Sequence, residues 1–157
     1  MTGKRIIYCI LIFLSCCLLT HAQNKRALLI GISQYGNNTG WKNIHGANDV
    51  DLMKSVLNGF SIRELKNANA TYDNIIKELN YLTKKTKEGD IVYIHFSGHG
   101  QPFEDINGDE QDGWDESFIP FDAHLYYEQN VYSGNKHLTD DILNTYLIKI
   151  RKKIAEH

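Results

Sequence analysis

The sequence predicts an α/β protein with a mainly parallel sheet and helices on both faces. Three observations carry that expectation. Residues 26–32 and 91–96 are short, almost unbroken apolar runs, the pattern of strands buried on both faces. Three other stretches place apolar residues at helical spacing. Strand-like and helix-like segments alternate along the chain, without an internal repeat. The 157 residues suit one domain of ordinary size.

Each element has a local reason. The first strand, residues 26–32, leads into a polar loop over 33–46 that is rich in Gly and Asn. Asn48 is expected to cap the first helix, with Asp49 and Asp51 in its first turn, where carboxylates suit the helix dipole. Val50, Met53, Val56, Leu57 and Phe60 form its apolar stripe. A weak strand over 62–65 follows. Thr71 caps a second helix with Ile75, Ile76, Leu79 and Leu82 on one face and lysines at its end. Gly89 and Asp90 then turn the chain into 91–96, the clearest strand in the sequence, which runs into Ser97-Gly98-His99-Gly100. Residues 101–132 are acidic and irregular, with room for a small hairpin. Thr139 caps a third helix carrying Ile142, Leu143, Tyr146, Leu147, Ile150 and Ile154 in helical register.

The first residues do not belong to this pattern. A basic start over 1–5, an apolar run over 6–19 and Thr20-His21-Ala22 make a secretory signal, with cleavage expected between Ala22 and Gln23. The run is short for a membrane span, which needs about 20 apolar residues. A lipoprotein box at Leu14-Ser15-Cys16-Cys17 is the weaker alternative, because Cys16 stands where a small residue is usual. The mature chain is thus expected to be secreted or periplasmic, with no membrane contact beyond the leader. Cys9, Cys16 and Cys17 all lie in the leader, so residues 23–157 have no thiol, no disulfide and no thiolate metal site. The net charge is −2 and the Lys/Arg pairs are scattered, which argues against nucleic acid as a partner.

Sites in open α/β sheets collect beyond the carboxyl ends of strands, where His99 stands. Glycines on both sides leave room for its imidazole to project and for a substrate backbone to approach. An imidazole takes and gives protons near neutral pH. Taken alone, a His between glycines is better read as a turn residue, and Asp49 as a helix-dipole residue. His95 alternates with its strand neighbours as a core or supporting histidine. His45, His124, His137 and His157 have no metal-ligand spacing, so zinc is not expected. Asp105, Asn107, Asp109 and Glu116 stand where an EF-hand loop places its ligands. Glu110 occupies the position that needs Gly and no helix precedes the loop, so an EF-hand is excluded.

Several blocks in order resemble metacaspases, the caspase-like cysteine peptidases. They are residues 25–35 (KRALLIGISQY), 46–50 (GANDV), 70–75 (ATYDNI) and 89–101 (GDIVYIHFSGHGQ). Residues 107–116 (NGDEQDGWDE), 119–122 (IPFD) and 138–141 (LTDD) complete the series, which covers residues 25–150. The resemblance implies a caspase-like three-layer sandwich. It makes His99 the catalytic histidine that assists a Cys thiolate, and Gly100 the donor of an oxyanion-holding backbone N–H. It places Asp49 in the primary specificity pocket, where it would pair with Arg or Lys of a peptide or protein substrate. It also implies a calcium ion held by Asp115, Asp140 and Asp141, the alternative being a solvated acidic loop and a helix start. No organic cofactor is implied.

One part of the family pattern is missing. Caspase-type enzymes carry the nucleophile about 50 residues after the catalytic His, and metacaspases set it in Asp-x-Cys-x-Ser-Gly at the end of the next strand. The chain closes on its third helix, residues 140–156, before such a strand. The domain, residues 23–157, is therefore expected to be truncated before the Cys-bearing strand and inactive alone. Residues 91–96 would be an open, apolar sheet edge, prone to poor folding or to pairing with a second chain that supplies the missing strands. The alternative is a non-catalytic pseudo-protease, or a calcium- or peptide-binding module that docks on a partner.

Overall fold

A computed structural model of the protein describes residues 23–105, 107–108 and 110–155; the expected leader, Asp109 and His157 lie outside them. The elements run β1 (Lys25–Gly31), α1 (Gly46–Val56), β2 (Ser61–Lys66), a 3-10 turn (Asn67–Asn69), α2 (Tyr72–Lys85) and β3 (Ile91–Ser97). They continue with β4 (Gly100–Glu104), β5 (Trp114–Phe118), β6 (Leu138–Thr139) and α3 (Asp140–Ile154). The main sheet has the order β2-β1-β3 and both pairings are parallel. A second, antiparallel sheet has the order β4-β5-β6.

Alternation along β1 explains the layers. Leu28 and Ile30 face one side, where Ile75, Leu79, Leu82 and Ile150 of α2 and α3 close over them. Ala27 and Leu29 face the other, against Val50 and Met53 of α1 and Leu57 just beyond its end. Helices therefore cover both faces of β1, the central strand. Leu28, Leu29 and Ile30 are fully buried, and each contributes about 2 kcal/mol relative to an exposed side chain.

The start of α1 departs from expectation. Asn48 does not cap it; the helix begins at Gly46, with His45 at the cap position and no side-chain cap bond there. A side chain distant in sequence does the work: Ser33 Oγ accepts from the Ala47 N–H at 2.9 Å. Gly46 is sterically required, because a Cβ there would stand 2.2 Å from the Ser97 carbonyl oxygen and 2.8 Å from that of Ile32. The N-terminus of α1 thus rests directly on the ends of β1 and β3. Thr71 does cap α2, accepting from the Asn74 N–H at 3.3 Å. Thr139 takes the cap position of α3 without a side-chain bond, and Asp140 Oδ1 accepts from the Asp141 N–H at 3.0 Å.

Among the described residues β3 pairs only with β1, so its outer edge is open. Beside it an apolar crevice of about 190 Å³ runs between the sheet and the helices, lined by Ile94, Phe96, Ile75, Leu79, Leu143 and Leu147 among others. Where β3 begins, Asp90 is closed in. Its carboxylate receives hydrogen bonds from the Asn24 N–H and side-chain amide, the Arg26 guanidinium and the Lys87 N–H.

Candidate active site

His99 leaves the C-terminal end of β3 by way of Gly98. A Cβ on Gly98 would lie 2.8 Å from a ring carbon of Phe96 and 2.9 Å from the Tyr35 hydroxyl, so glycine is needed there. Gly100, the first residue of β4, is under no such constraint: its Cβ would meet only the Ser117 carbonyl oxygen, at 3.4 Å. The expectation that both glycines relieve crowding holds for the first alone.

The imidazole is held on several sides. The His99 backbone N–H donates to the Tyr35 hydroxyl at 2.8 Å. The Tyr35 ring lies 5.1 Å from the imidazole at 42°, and the Trp41 indole stacks on it at 4.9 Å and 26°. His99 Nε2 is 2.8 Å from the Lys42 carbonyl oxygen. A carbonyl only accepts, so Nε2 carries the hydrogen and the neutral ring presents Nδ1 as its proton acceptor. Burial pushes the Tyr35 hydroxyl up to about 12, against a smaller opposing effect of the His99 N–H, so it stays protonated.

Asp49 lies in the first turn of α1 and is exposed. Its Oδ2 accepts from Ser97 Oγ at 2.5 Å. The close seat of Gly46 on the strand ends therefore brings Asp49 to the same end of β3 as His99. This end of β3 thus carries an imidazole held at Nε2 and, through Ser97, an exposed carboxylate.

The acidic residues form a separate corner. Asp115 is buried on β5, and Asp140 and Asp141 open α3. The pairing of Ser117 with Thr139 carries the start of α3 toward the Asp115 part of β5. Asn107 donates its side-chain amide to Asp141 Oδ2 at 2.5 Å. These hard oxygen donors suit calcium in kind. Among the described residues no three His, Cys, Asp or Glu side chains gather into a metal-holding group.

Two groupings were not legible in advance. Trp41 and Lys42 lie in a polar loop without periodicity, and nothing local marks them as neighbours of His99. The histidines that read as scattered partly converge: His124 stacks on Tyr132 at 4.6 Å, and the Tyr132 hydroxyl is 2.8 Å from His137 Nδ1. His95 stacks on Tyr93, with its buried Nε2 unpartnered.

Comparison with known proteins fits this geometry. Residues 25–155 match the family model of the metacaspase, peptidase C14 domain. Metacaspase-1 of Debaryomyces hansenii is 34% identical over 139 residues, and that of Candida albicans 32% over 141 residues. Each alignment covers 80% of this chain and 29% of the relative, so the chain spans less than a third of their length. A crystal structure of a protein from Geobacter sulfurreducens superposes with a TM-score of 0.64 at 28% identity. That match covers 80% of this chain and 45% of the other. The α/β arrangement is that of a caspase-like sandwich.

Proposed function

From a chain that belongs to the metacaspase family, we propose the histidine-bearing part of a cysteine endopeptidase that cuts after Arg or Lys. The observation that carries the reading is the fixed ring of His99, with Nε2 on the Lys42 carbonyl and Nδ1 left for the reacting proton. In this reading a thiol transfers its proton to Nδ1 and the thiolate attacks the scissile carbonyl. The imidazolium then protonates the leaving amine, and water releases the acyl group. The backbone N–H of Gly100 helps hold the oxyanion, a contact worth about 10²–10³ in rate. Asp49 pairs with the basic side chain before the scissile bond, a charge-assisted contact worth about 1.5–3 kcal/mol.

Residues 23–157 contain no cysteine, so the thiol of this reading comes from a segment outside them. We place that segment along the open edge of β3, where free backbone groups and the apolar crevice favour an added strand. The open edge of β3 also supports a second reading, a non-catalytic module that binds peptide or a partner through the same surfaces. Calcium at Asp115, Asp140 and Asp141 is a separate proposal with no catalytic step routed through it; it predicts a higher melting temperature with calcium than with magnesium. Export through the leader is also proposed, with an N-terminus at Gln23 as its test.

The function is tested by mixing the full chain with the Cys-bearing segment of a metacaspase relative and following peptide cleavage. The expected result is thiol-dependent cleavage after Arg and Lys, weakened by Asp49→Ala, and none from the chain alone. Cleavage after Asp, or basic specificity unchanged by Asp49→Ala, contradicts the assignment. Binding of the segment without any cleavage supports the second reading.

A further inference from the structure

We propose that Trp41 is a positioning residue for His99, its indole holding the imidazole plane so that Nε2–H stays on the Lys42 carbonyl. The inference rests on His99 being the proton-transfer group of the proposed function.

The terminal torsion of a histidine is broad and roughly two-fold, so one hydrogen bond at Nε2 leaves the plane of the ring loosely determined. Trp41 supplies what is missing. Its indole lies 4.9 Å from the imidazole at 26°, close to parallel, whereas Tyr35 meets the ring at 42°. Trp41 is itself anchored, because its Nε1–H donates to the Ala123 carbonyl at 3.1 Å. One dipeptide, Trp41-Lys42, thereby provides both the stacking surface and the acceptor. A shift of either moves the other, and the loop after Pro120 holds both through Ala123.

A packing role alone would not need this geometry. Trp41 is only half-buried and borders the main core without belonging to its buried set. Its face is spent on the imidazole, and its polar edge on a loop carbonyl. Nothing in the polar loop over 33–46 pointed to this function; the link to His99 spans 57 residues of sequence.

The test reads the ring itself, in the ¹⁵N-labelled full chain, with the His99 signals assigned through His99→Gln. Wild type is expected to show an Nε2–H proton protected from solvent exchange, and carbon-bound ring protons shifted upfield by the indole. Trp41→Leu is expected to lose both signals while the backbone amides of β1 and β3 keep their positions. Trp41→Phe, which retains a ring but no Nε1–H, is expected to restore the upfield shift and part of the Nε2–H signal. A protected Nε2–H in Trp41→Leu overturns the proposal. So does its absence in the wild type, which needs no variant to fold. The peptidase assay and this measurement fail independently: cleavage can be absent while the ring is held, and present while it is free.

Discussion

At the N-terminal end of β3 the Asp90 carboxylate receives four hydrogen bonds, and its side chain is 1% exposed. At the C-terminal end His99 is half-buried, with one ring nitrogen on the Lys42 carbonyl. Its other nitrogen has no hydrogen-bond partner among the described residues. Both ends hold a titratable side chain, but only one is saturated. A saturated group can contribute stability and nothing else, since a substrate would have to displace protein donors to reach it. A group fixed at one atom and open at another is already oriented for chemistry. The difference teaches where to expect stability and where to expect turnover along a single strand.

Removing the saturated end has the largest effect. Asp90→Ala strands the Arg26 charge and leaves three amide donors without their acceptor, and is expected to cost about 3 kcal/mol in urea unfolding. The pH dependence sharpens the point. Burial by itself raises the Asp90 carboxyl, but the bonds from Asn24, Lys87 and Arg26 outweigh it and hold it below its ordinary 3.8. The folded protein therefore binds this proton more weakly than the unfolded chain does. The contribution is full above about pH 4 and is lost as the pH falls through the lowered folded value. Asp90→Asn is expected to flatten that acid limb of the stability curve.

Gly46→Ala follows in size. Its Cβ would enter the Ser97 carbonyl, so α1 must move, at an expected cost of about 2 kcal/mol. The same movement draws Asp49 away from Ser97, so basic-substrate binding should weaken with it. Ser97→Ala is the smallest break. It removes one exposed hydrogen bond to Asp49 and is expected to cost about 0.5 kcal/mol or less in unfolding. In the chain supplied with a Cys-bearing segment, the proposed role of Asp49 predicts a raised KM for Arg and Lys peptides with kcat little changed.

Which parts were legible in the sequence follows from where their causes lie. β1, β3 and α2 were readable because their patterns are local: unbroken apolar runs, a Thr cap, lysines at a helix end. The start of α1 was misplaced by three residues because its stabilising oxygen, Ser33 Oγ, is 14 residues from Ala47 and its glycine serves a tertiary contact. β6 was read only as the lead-in to α3, since two residues carry no periodicity and the pairing of Leu138 with Phe118 supplies the strand. At the candidate site, His99 and Asp49 were singled out through motif and resemblance, and both lie at the same end of β3. Tyr35 stood within a matched block but without an assigned role. Trp41 and Lys42 had no signal at all, because packing alone brings a polar loop against His99.

The central proposal is that His99, at the C-terminal end of β3, transfers protons, while Asp90, at the N-terminal end, serves stability. The measurement that tests it most directly is His99→Gln, read for both properties in the chain supplied with a Cys-bearing segment. The account predicts a loss of cleavage of about 10²–10⁴-fold, with an unfolding midpoint within about 0.5 kcal/mol of the wild type. Undiminished cleavage, or a loss of stability as large as that of Asp90→Ala, would contradict it.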